Sequence, residues 1–316
     1  MECDQREKEI GVVVPARDRQ ELLSRALDSI KAQTWRPVHL VVVDNGSSDG
    51  TLAVARDWAA ANAAPDFRVT VAEEPEAGAC PARQRGLREV TAPYVAFFDS
   101  DDTMRPDLLA TAMETFGRKP ETDLVTWCAE LHFLDGTSRV TVSGGDPLDT
   151  HLIHGLLRTQ GYAVRTELLR RVGGWRGNLP VWNDWELGVR LLCASPTIET
   201  LPECLADVYS QENSITGKRF SDKFGSWERS LDEVERLLGE VTLDRRDHYL
   251  RLVAYRRMIL AAHYAREGRG DLALSLLKEA LANPALTRMQ RMFFRILYRY
   301  TAAGGRGAGR VAVLLV

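Results

Sequence analysis

An α/β domain whose mostly parallel sheet is covered by helices, continued by an α-helical carboxyl-terminal extension, is the fold class this sequence predicts. Three observations carry it. Strand-like and helix-like segments alternate at short spacing through the first half of the chain, the pattern of a sheet with helices on its faces. The strand-like segments are unbroken runs of Val, Ile and aromatic residues, as expected where both faces of a strand are covered. From Phe220 onward nearly every segment has a helical period.

Taken in order, strands are expected near residues 10–14, 39–44, 68–73 and 94–98, with helices near 19–33, 49–61 and 81–90 between them. Ligands of such a sheet bind at the carboxyl ends of its strands. From 123 to about 205 the pattern loosens into short strands, glycine turns at Gly144-Gly145 and Gly173-Gly174, and a helix starting near Asn183. Irregular chain of that length inside a compact domain marks a binding region. Residues 255–266 and 272–281, closed by Asn283-Pro284, read as one antiparallel helical hairpin with no second copy, hence an appendage rather than a repeat array. The division that follows is a domain over 1–218 and a helical extension over 219–316.

With 316 residues, 45% hydrophobic and 27% charged, the chain can bury one sizeable core and a second small one and is not disordered by composition. Its net charge of −3 hides an asymmetry: residues 245–316 hold 14 of the 41 Lys/Arg and 4 of the 44 Asp/Glu. The front is acidic, and no nucleic-acid partner is expected. Five cysteines (Cys3, Cys80, Cys128, Cys193, Cys204) form no Cys-x-x-Cys pair, which reads as reduced packing thiols in a cytoplasm. The first nine residues lack an apolar signal core, and no apolar run, 311–316 included, reaches the roughly 18 residues that span a bilayer.

The chemistry concentrates where the apolar run Tyr94-Val95-Ala96-Phe97-Phe98 empties into Asp99-Ser100-Asp101-Asp102. Carboxylates this close repel one another, so a cation is expected among them, a divalent metal carrying phosphates. Asp44 closes the second strand before Asn45-Gly46-Ser47-Ser48-Asp49-Gly50-Thr51. It either accepts hydrogen bonds from a base or ribose lying across the strand ends or caps the turn, and the two readings weigh equally. Ser47, Ser48 and Asp49 suit capping of the next helix. Pro15-Ala16-Arg17-Asp18 stands where a dinucleotide fold would carry Gly-x-Gly-x-x-Gly, whose absence speaks against a dinucleotide cofactor. Arg17 either lies against a base or is solvated. Arg83, near the start of the third helix, has the planar fork that pairs with a diphosphate, whereas Arg85 faces solvent.

Together the blocks Val12-Val13-Val14-Pro15, Val42-Val43-Asp44-Asn45-Gly46-Ser47-Ser48-Asp49-Gly50-Thr51, Ala82-Arg83-Gln84-Arg85-Gly86 and Phe97-Phe98-Asp99-Ser100-Asp101-Asp102 with Pro106 resemble the family 2 glycosyltransferases of the GT-A fold, over roughly residues 10–215. The resemblance implies a mixed sheet flanked by helices and an inverting enzyme that uses a nucleotide-diphosphate sugar. It implies donor binding by Pro15, Ala16, Arg17, Asp18, Asp44, Arg83, Asp99, Ser100 and Asp101, with Asp44 on the base and Arg83 near the diphosphate. Asp101, with Asp102, holds Mn2+ or Mg2+, while Asp99 and Asp102 stay open between metal, ribose and sugar. A fifth block, Gly173-Gly174-Trp175 followed by Val181-Trp182-Asn183-Asp184-Trp185-Glu186, resembles the family's glycine turn and acidic helix start, and by that match Asp184 is the general base. Asn183 and Glu186 also have capping-box spacing, which gives the helix start a second, structural reading. Gly174, Trp175, Trp182 and Asn183 belong to the sugar and acceptor pocket by the same match. Tryptophans there either stack on sugars or pack. Thr159 and Gln160 either bind sugar hydroxyls or close a strand end.

One departure from the family is that Tyr209-Ser210-Gln211-Glu212-Asn213-Ser214-Ile215-Thr216 lacks the histidine that serves many relatives as a further metal ligand. Gln211 or Glu212 replaces it, or the metal rests on the aspartates and diphosphate alone. His132, His151 and His154 have no ligand spacing. Arg288, Arg291, Arg295 and Arg299 recur at helical spacing among apolar residues. The helix either lies peripherally on an anionic membrane or packs on the protein with its arginines in water. The acceptor is a glycan, a lipid-linked molecule or a small molecule. Two rivals remain at this level. A haloacid-dehalogenase-type phosphatase would use Asp99 as nucleophile and Asp101 as acid/base, and an inactive nucleotide-sugar scaffold would bind without turnover.

Overall fold

The computed structural model describes residues 8–141, 145–211 and 219–305. Two compact units form, one from the chain up to Gly144 together with Leu156–Gln211, the other from Gly145–Gly155 and the chain from Glu212 onward.

The first unit is built on a nine-stranded mixed sheet. Four strands, β1 (Ile10–Ala16), β2 (Val38–Asp44), β3 (Phe67–Glu73) and β4 (Tyr94–Phe97), run parallel in the order β3-β2-β1-β4. Helices α1 (Leu23–Lys31), α2 (Thr51–Asn62) and α3 (Ala79–Glu89) connect them, close to the expected positions. Each βα crossover returns the chain to the same edge, so the segments after β1, β2 and β4 meet at one end of the sheet. Every residue of β1 and β2 is buried, which is why neither shows a period of two. On α1, Leu23, Ala26, Leu27 and Ile30 form the buried stripe, and each full burial of a Leu or Ile stabilises by about 1.5–3 kcal/mol. α3 lies so close on β1 that a Cβ on Gly86 would meet Val13 Cγ1 at 2.2 Å.

Beyond β4 the direction changes. A two-residue strand, β5 (Thr103–Met104), and α4 (Leu108–Arg118) precede β6 (Leu124–His132) and its hairpin partner β7 (Ser138–Val140). Then β8 (Tyr162–Arg165) enters antiparallel between β4 and β6. The last strand of the first unit, β9 (Ile198–Tyr209), runs parallel to β6 and antiparallel to β5. This twelve-residue strand is the main departure from the sequence expectation of short strands. Its pairing with β6 is interrupted by irregularities around Cys128, and Pro202 and three acidic residues dilute its apolar signal. In chain order, α5 (Pro147–His154), α6 (Thr166–Arg171) and α7 (Asn183–Cys193) are the helices of this stretch. Only α7 was legible in advance.

The second unit joins α5 to α8 (Ser226–Glu240), α9 (Arg246–Arg266), α10 (Gly270–Ala282) and α11 (Arg288–Ala302). The expected hairpin is the end of α9 against α10. Tyr255 and Met258 of α9 and Ala280 of α10 join Leu286 and, from α11, Phe294 and Leu297 in a core cluster of this unit. Buried Arg257 is held by Asp232, Glu235 and Glu279, and Thr287 and Gln290 form a capping box at the start of α11. No described helix is long and apolar enough to cross a membrane.

Candidate active site

The acidic run lies in the tight turn between β4 and β5, where Asp102 N donates to Asp99 O at 3.2 Å. Antiparallel pairing of β4 with β8 matches Ala96 to Ala163, and continuing that register sets Gln160 opposite Asp99. The Gln160 amide Nε2 accordingly lies 2.6 Å from Asp99 Oδ2 and 2.6 Å from Asp102 Oδ2. The end of β9 supplies a second donor, Tyr209 N, 2.9 Å from Asp102 Oδ1. Both oxygens of Asp102 are thus engaged by the protein. Asp101 is held more loosely: Arg19 Nε stands 3.8 Å from its carboxylate, and Arg25 Nη2 donates to its main-chain oxygen at 2.6 Å.

Burial, and then the Asp99 charge, push Asp101 above the usual carboxylate range. Asp102 is pushed up to about 8 by burial, then by Asp99 and Asp101. These directions mean that negative charge here is under-compensated by the protein, the condition a bound cation relieves. An all-carboxylate donor set suits a hard divalent cation such as Mg2+ or Mn2+.

Arg83 ties this turn to α7. It is buried, with Nη2 2.6 Å from Asp99 Oδ1 and Nη1 3.3 Å from Asn183 Oδ1. Burial is the largest single influence and works against its charge, but Asp99, Cys80 and Asp184 together outweigh it and the guanidinium is held above the ordinary arginine range. Its plane lies 4.6 Å from the ring of Trp175, which meets Phe97 edge-on. Arg83 Nε and Trp175 Nε1 are buried without a hydrogen-bond partner among the described residues. Asp184 stands at the second position of α7, where its Oδ1 accepts from Trp185 N at 2.8 Å. Its charge acts on buried Arg83, half-buried Arg158 and buried Tyr162.

No capping box forms at α7. Trp182, at φ +48°, is the cap residue and contributes no side-chain cap bond, while Asn183 is already helical and bonds Leu179 O and Arg83. Glu186 instead pairs with Arg190 at 2.7 Å and Arg176 at 3.0 Å. Arg190 in turn donates to Val172 O, so this buried ion pair fastens the glycine turn to the helix. Gly174 has φ +62°, and a Cβ there would meet Gln84 Oε1 at 2.3 Å. Gln84 Oε1 receives Trp175 N at 2.8 Å.

On the other side of β4, Ala16 and Asp44 are paired across β1 and β2. Buried Asp44 accepts from Ser47 N through Oδ2, as a turn-capping residue would, whereas its Oδ1 is buried with no partner among the described residues. Asp18, at φ +51°, accepts from Ser48 N and Oγ and donates its own N to Ser47 Oγ. Both loops are therefore zipped together beside Asp44. Arg17 projects into solvent, with Asp18 3.9 Å away. Asp49 accepts from Thr51 N in the turn before α2, whose cap residue is Gly50 without a side-chain cap bond. Asn45, which carried no expectation, joins Glu74 O, Glu76 O and Gly78 N.

Pro15, Ser100 and Thr159 are buried. Trp182 packs against Trp185 at 5.7 Å. Glu212 lies outside the described residues, as do Asn213, Ser214, Ile215 and Thr216, Gly144, Cys3 and residues 311–316. His132, given no ligand role by its spacing, converges with Glu130 and Asp207 within 4.8 Å. There Arg105 already binds both carboxylates. Arg105 leads in holding Asp207 below the usual range, and Ser138 and then Arg105 do so for Glu130, the reverse of Asp101 and Asp102. This group is an ion-pair network with its cation built in. It also supports the acidic turn, since the His132 ring stacks at 4.9 Å on Tyr209, and Arg25 lies 4.4 Å from the same ring. Arg19, Arg25, Asn45 and Tyr209 are the residues that sequence reasoning missed, because each acts on a partner far away in the chain.

Residues 11–144 match the family model described as glycosyl transferase family 2. An uncharacterised glycosyltransferase of Nostoc sp. is 28% identical over 215 residues, 62% of this chain and 63% of that protein. The first curated relatives are covered over less than two thirds of their own length, 14% and 63%. Among solved structures, S. aureus TarS 1-349 in complex with UDP-GlcNAc superposes with a TM-score of 0.70 at 16% identity, over 96% of this chain and 90% of that one. The mannosyltransferase PcManGT from Pyrobaculum calidifontis, in complex with GDP-Man and Mn2+, gives 0.61 at 20% identity over 96% and 86%. At these identities the likeness is one of fold. The family match spans the segments that carry Asp44, Arg83 and the acidic turn, so this stretch is similar to glycosyltransferase family 2, and the chain as described has the GT-A fold, which sets the phosphatase reading aside.

Proposed function

We propose that this chain transfers a sugar, with inversion, from a nucleotide-diphosphate donor to an acceptor hydroxyl, and that residues 1–218 are its transferase domain. The observation that carries the reading is the joint placement of under-compensated carboxylates and an arginine with an unsatisfied Nε at the end of the parallel strands. The nucleotide-sugar complexes of TarS and PcManGT, the latter with Mn2+, support a donor of this class.

Asp44 Oδ1, buried and without a partner among the described residues, is a fixed acceptor for an N–H of the base. Asp101 and Asp102 would hold Mn2+ or Mg2+, which would supply charge stabilisation for the departing diphosphate. Arg83 adds a preorganised cation to the same leaving group, and its stacking on Trp175 fixes its plane. Asp184, on a helix start anchored by Glu186 and Arg190, takes the proton from the acceptor hydroxyl as that oxygen bonds to the anomeric carbon. A carboxylate is a weak base, so this proton moves late, as the attacking oxygen becomes acidic. Trp175, Trp182, Thr159 and Gly174 line the sugar and acceptor side. Gln160 holds Asp99 and Asp102 in place rather than presenting its amide to the sugar. The acceptor is a glycan, a lipid-linked molecule or a small molecule, and the reaction is cytoplasmic.

The test is a thermal-shift screen of UDP- and GDP-sugars with and without Mn2+ or Mg2+, followed by release of nucleoside diphosphate and NMR of the product anomer. A metal-dependent shift, turnover and an inverted anomer are expected. No shift with any nucleotide sugar defeats the reading, and binding without turnover on any acceptor favours the inactive scaffold.

A further inference from the structure

Helix α11 buries Phe294, Leu297 and Thr301 against its own unit, yet these do not exhaust its apolar residues. Met289, Met292, Ile296 and Tyr300 are exposed, at 73%, 57%, 56% and 51%. Their spacing of three, four and four places them in one row along the helix. Arg288, Arg291, Arg295 and Arg299 each precede one member of that row, so an arginine row runs beside it along the full helix. Arg291 spends its donors on Leu281 O and Asn283 O, and the other three are exposed. From residue 280 onward the sequence holds six arginines and no acidic residue. The helix therefore has two apolar faces, one packed and one open, and the open one is bordered by uncompensated positive charge.

A helix that only packed on its unit would turn polar residues outward in the place of Met289, Met292 and Ile296. Two copies pairing through this row would bring arginine rows together with no acid on the helix to separate them, which opposes self-association. A surface that is negatively charged and apolar just beneath satisfies both rows at once. We propose that α11 lies flat on an anionic phospholipid surface, with Met289, Met292, Ile296 and Tyr300 inserted at the level of the acyl boundary and Arg288, Arg295 and Arg299 on the headgroup phosphates. The inference is independent of the sugar-transfer reading.

The experiment is co-sedimentation of the full chain with phosphatidylcholine vesicles, with and without phosphatidylglycerol, at low and high salt. Binding is expected only with phosphatidylglycerol and weaker in high salt. The triple variant Arg288→Glu, Arg295→Glu, Arg299→Glu should lower the partition coefficient about tenfold or more, as should Met292→Ser with Ile296→Ser. All five positions are exposed, and an unchanged thermal midpoint verifies folding. Equal binding to neutral vesicles, no binding to anionic ones, or unchanged binding by either variant overturns the inference. So does a dimer in light scattering that these substitutions disperse while vesicles remain unbound, because the row then seats a second copy.

Discussion

Arg83 Nη2 lies 2.6 Å from Asp99 Oδ1, which makes a buried arginine on α3 the counter-charge of the acidic turn after β4. The same guanidinium reaches Asn183 at the start of α7, so the acidic turn and the start of α7 share one side chain.

Replacing Arg83 with lysine keeps the charge but loses the fork and the stack on Trp175. Donor KM should rise about tenfold or more and kcat should fall, in steady-state assays of diphosphate release. An unchanged donor KM and kcat in a folded Arg83→Lys protein would remove Arg83 from the donor site.

Asp101 is the member of the turn whose carboxylate the protein engages least, at 3.8 Å from Arg19. Asp101→Asn should weaken Mn2+ binding about tenfold to a hundredfold and make turnover insensitive to added metal. It should not lower the melting temperature of metal-free protein, because it removes charge that burial and Asp99 disfavour. Calorimetric titration with Mn2+ checks the first expectation and a thermal melt in chelator the second.

For Asp184 the expectation is a split between chemistry and binding. Asp184→Asn preserves size at the α7 start and should lower kcat by about 10²–10⁴ while the donor dissociation constant stays within about twofold. A comparable loss of donor affinity would mean that Asp184 supports the fold of the site rather than the proton transfer.

His39 provides a pH test of stability away from the site. It is fully buried in β2, with Nε2 2.9 Å from Thr70 Oγ1 and Nδ1 without a partner among the described residues. Burial, helped by Arg68, lowers its pKa from 6.5 to about 4. The unfolded chain therefore takes up a proton between these values that the folded one refuses. The stability contributed by neutral His39 is complete above pH 6.5 and is lost as pH falls toward about 4, by roughly 3 kcal/mol. Urea unfolding of His39→Gln should show a shallower loss between pH 7 and about pH 4.5 than the parent. Parallel curves would refute the assignment.

Much of this protein was written locally. Four parallel strands, their helices, the carboxylates after β4 and Arg83 on α3 are legible because each rests on neighbours in sequence: an apolar run, a turn, a helix start. The sugar-pocket expectation for Gln160 shows where that ends. Its amide turns to Asp99 and Asp102 because an antiparallel strand entering 60 residues later sets the register. Tyr209 reaches Asp102 by the same kind of long-range pairing. The capping-box spacing of Asn183 and Glu186 was real in sequence, yet burial beside Arg190 gave Glu186 a stronger partner than a helix-end N–H.

The sequence by itself determined which segments become strands and helices, and which side chains carry charge, because period and side-chain chemistry belong to the chain. Only the tertiary structure decided which of those charges are compensated and which apolar faces are covered. Asp207 and Asp101 are both aspartates beside arginines, but one is held down and the other pushed up. Phe294 and Ile296 lie two residues apart on α11, and one is buried while the other is open. Desolvation and Coulomb energy depend on distances across the fold, and no local pattern encodes those distances.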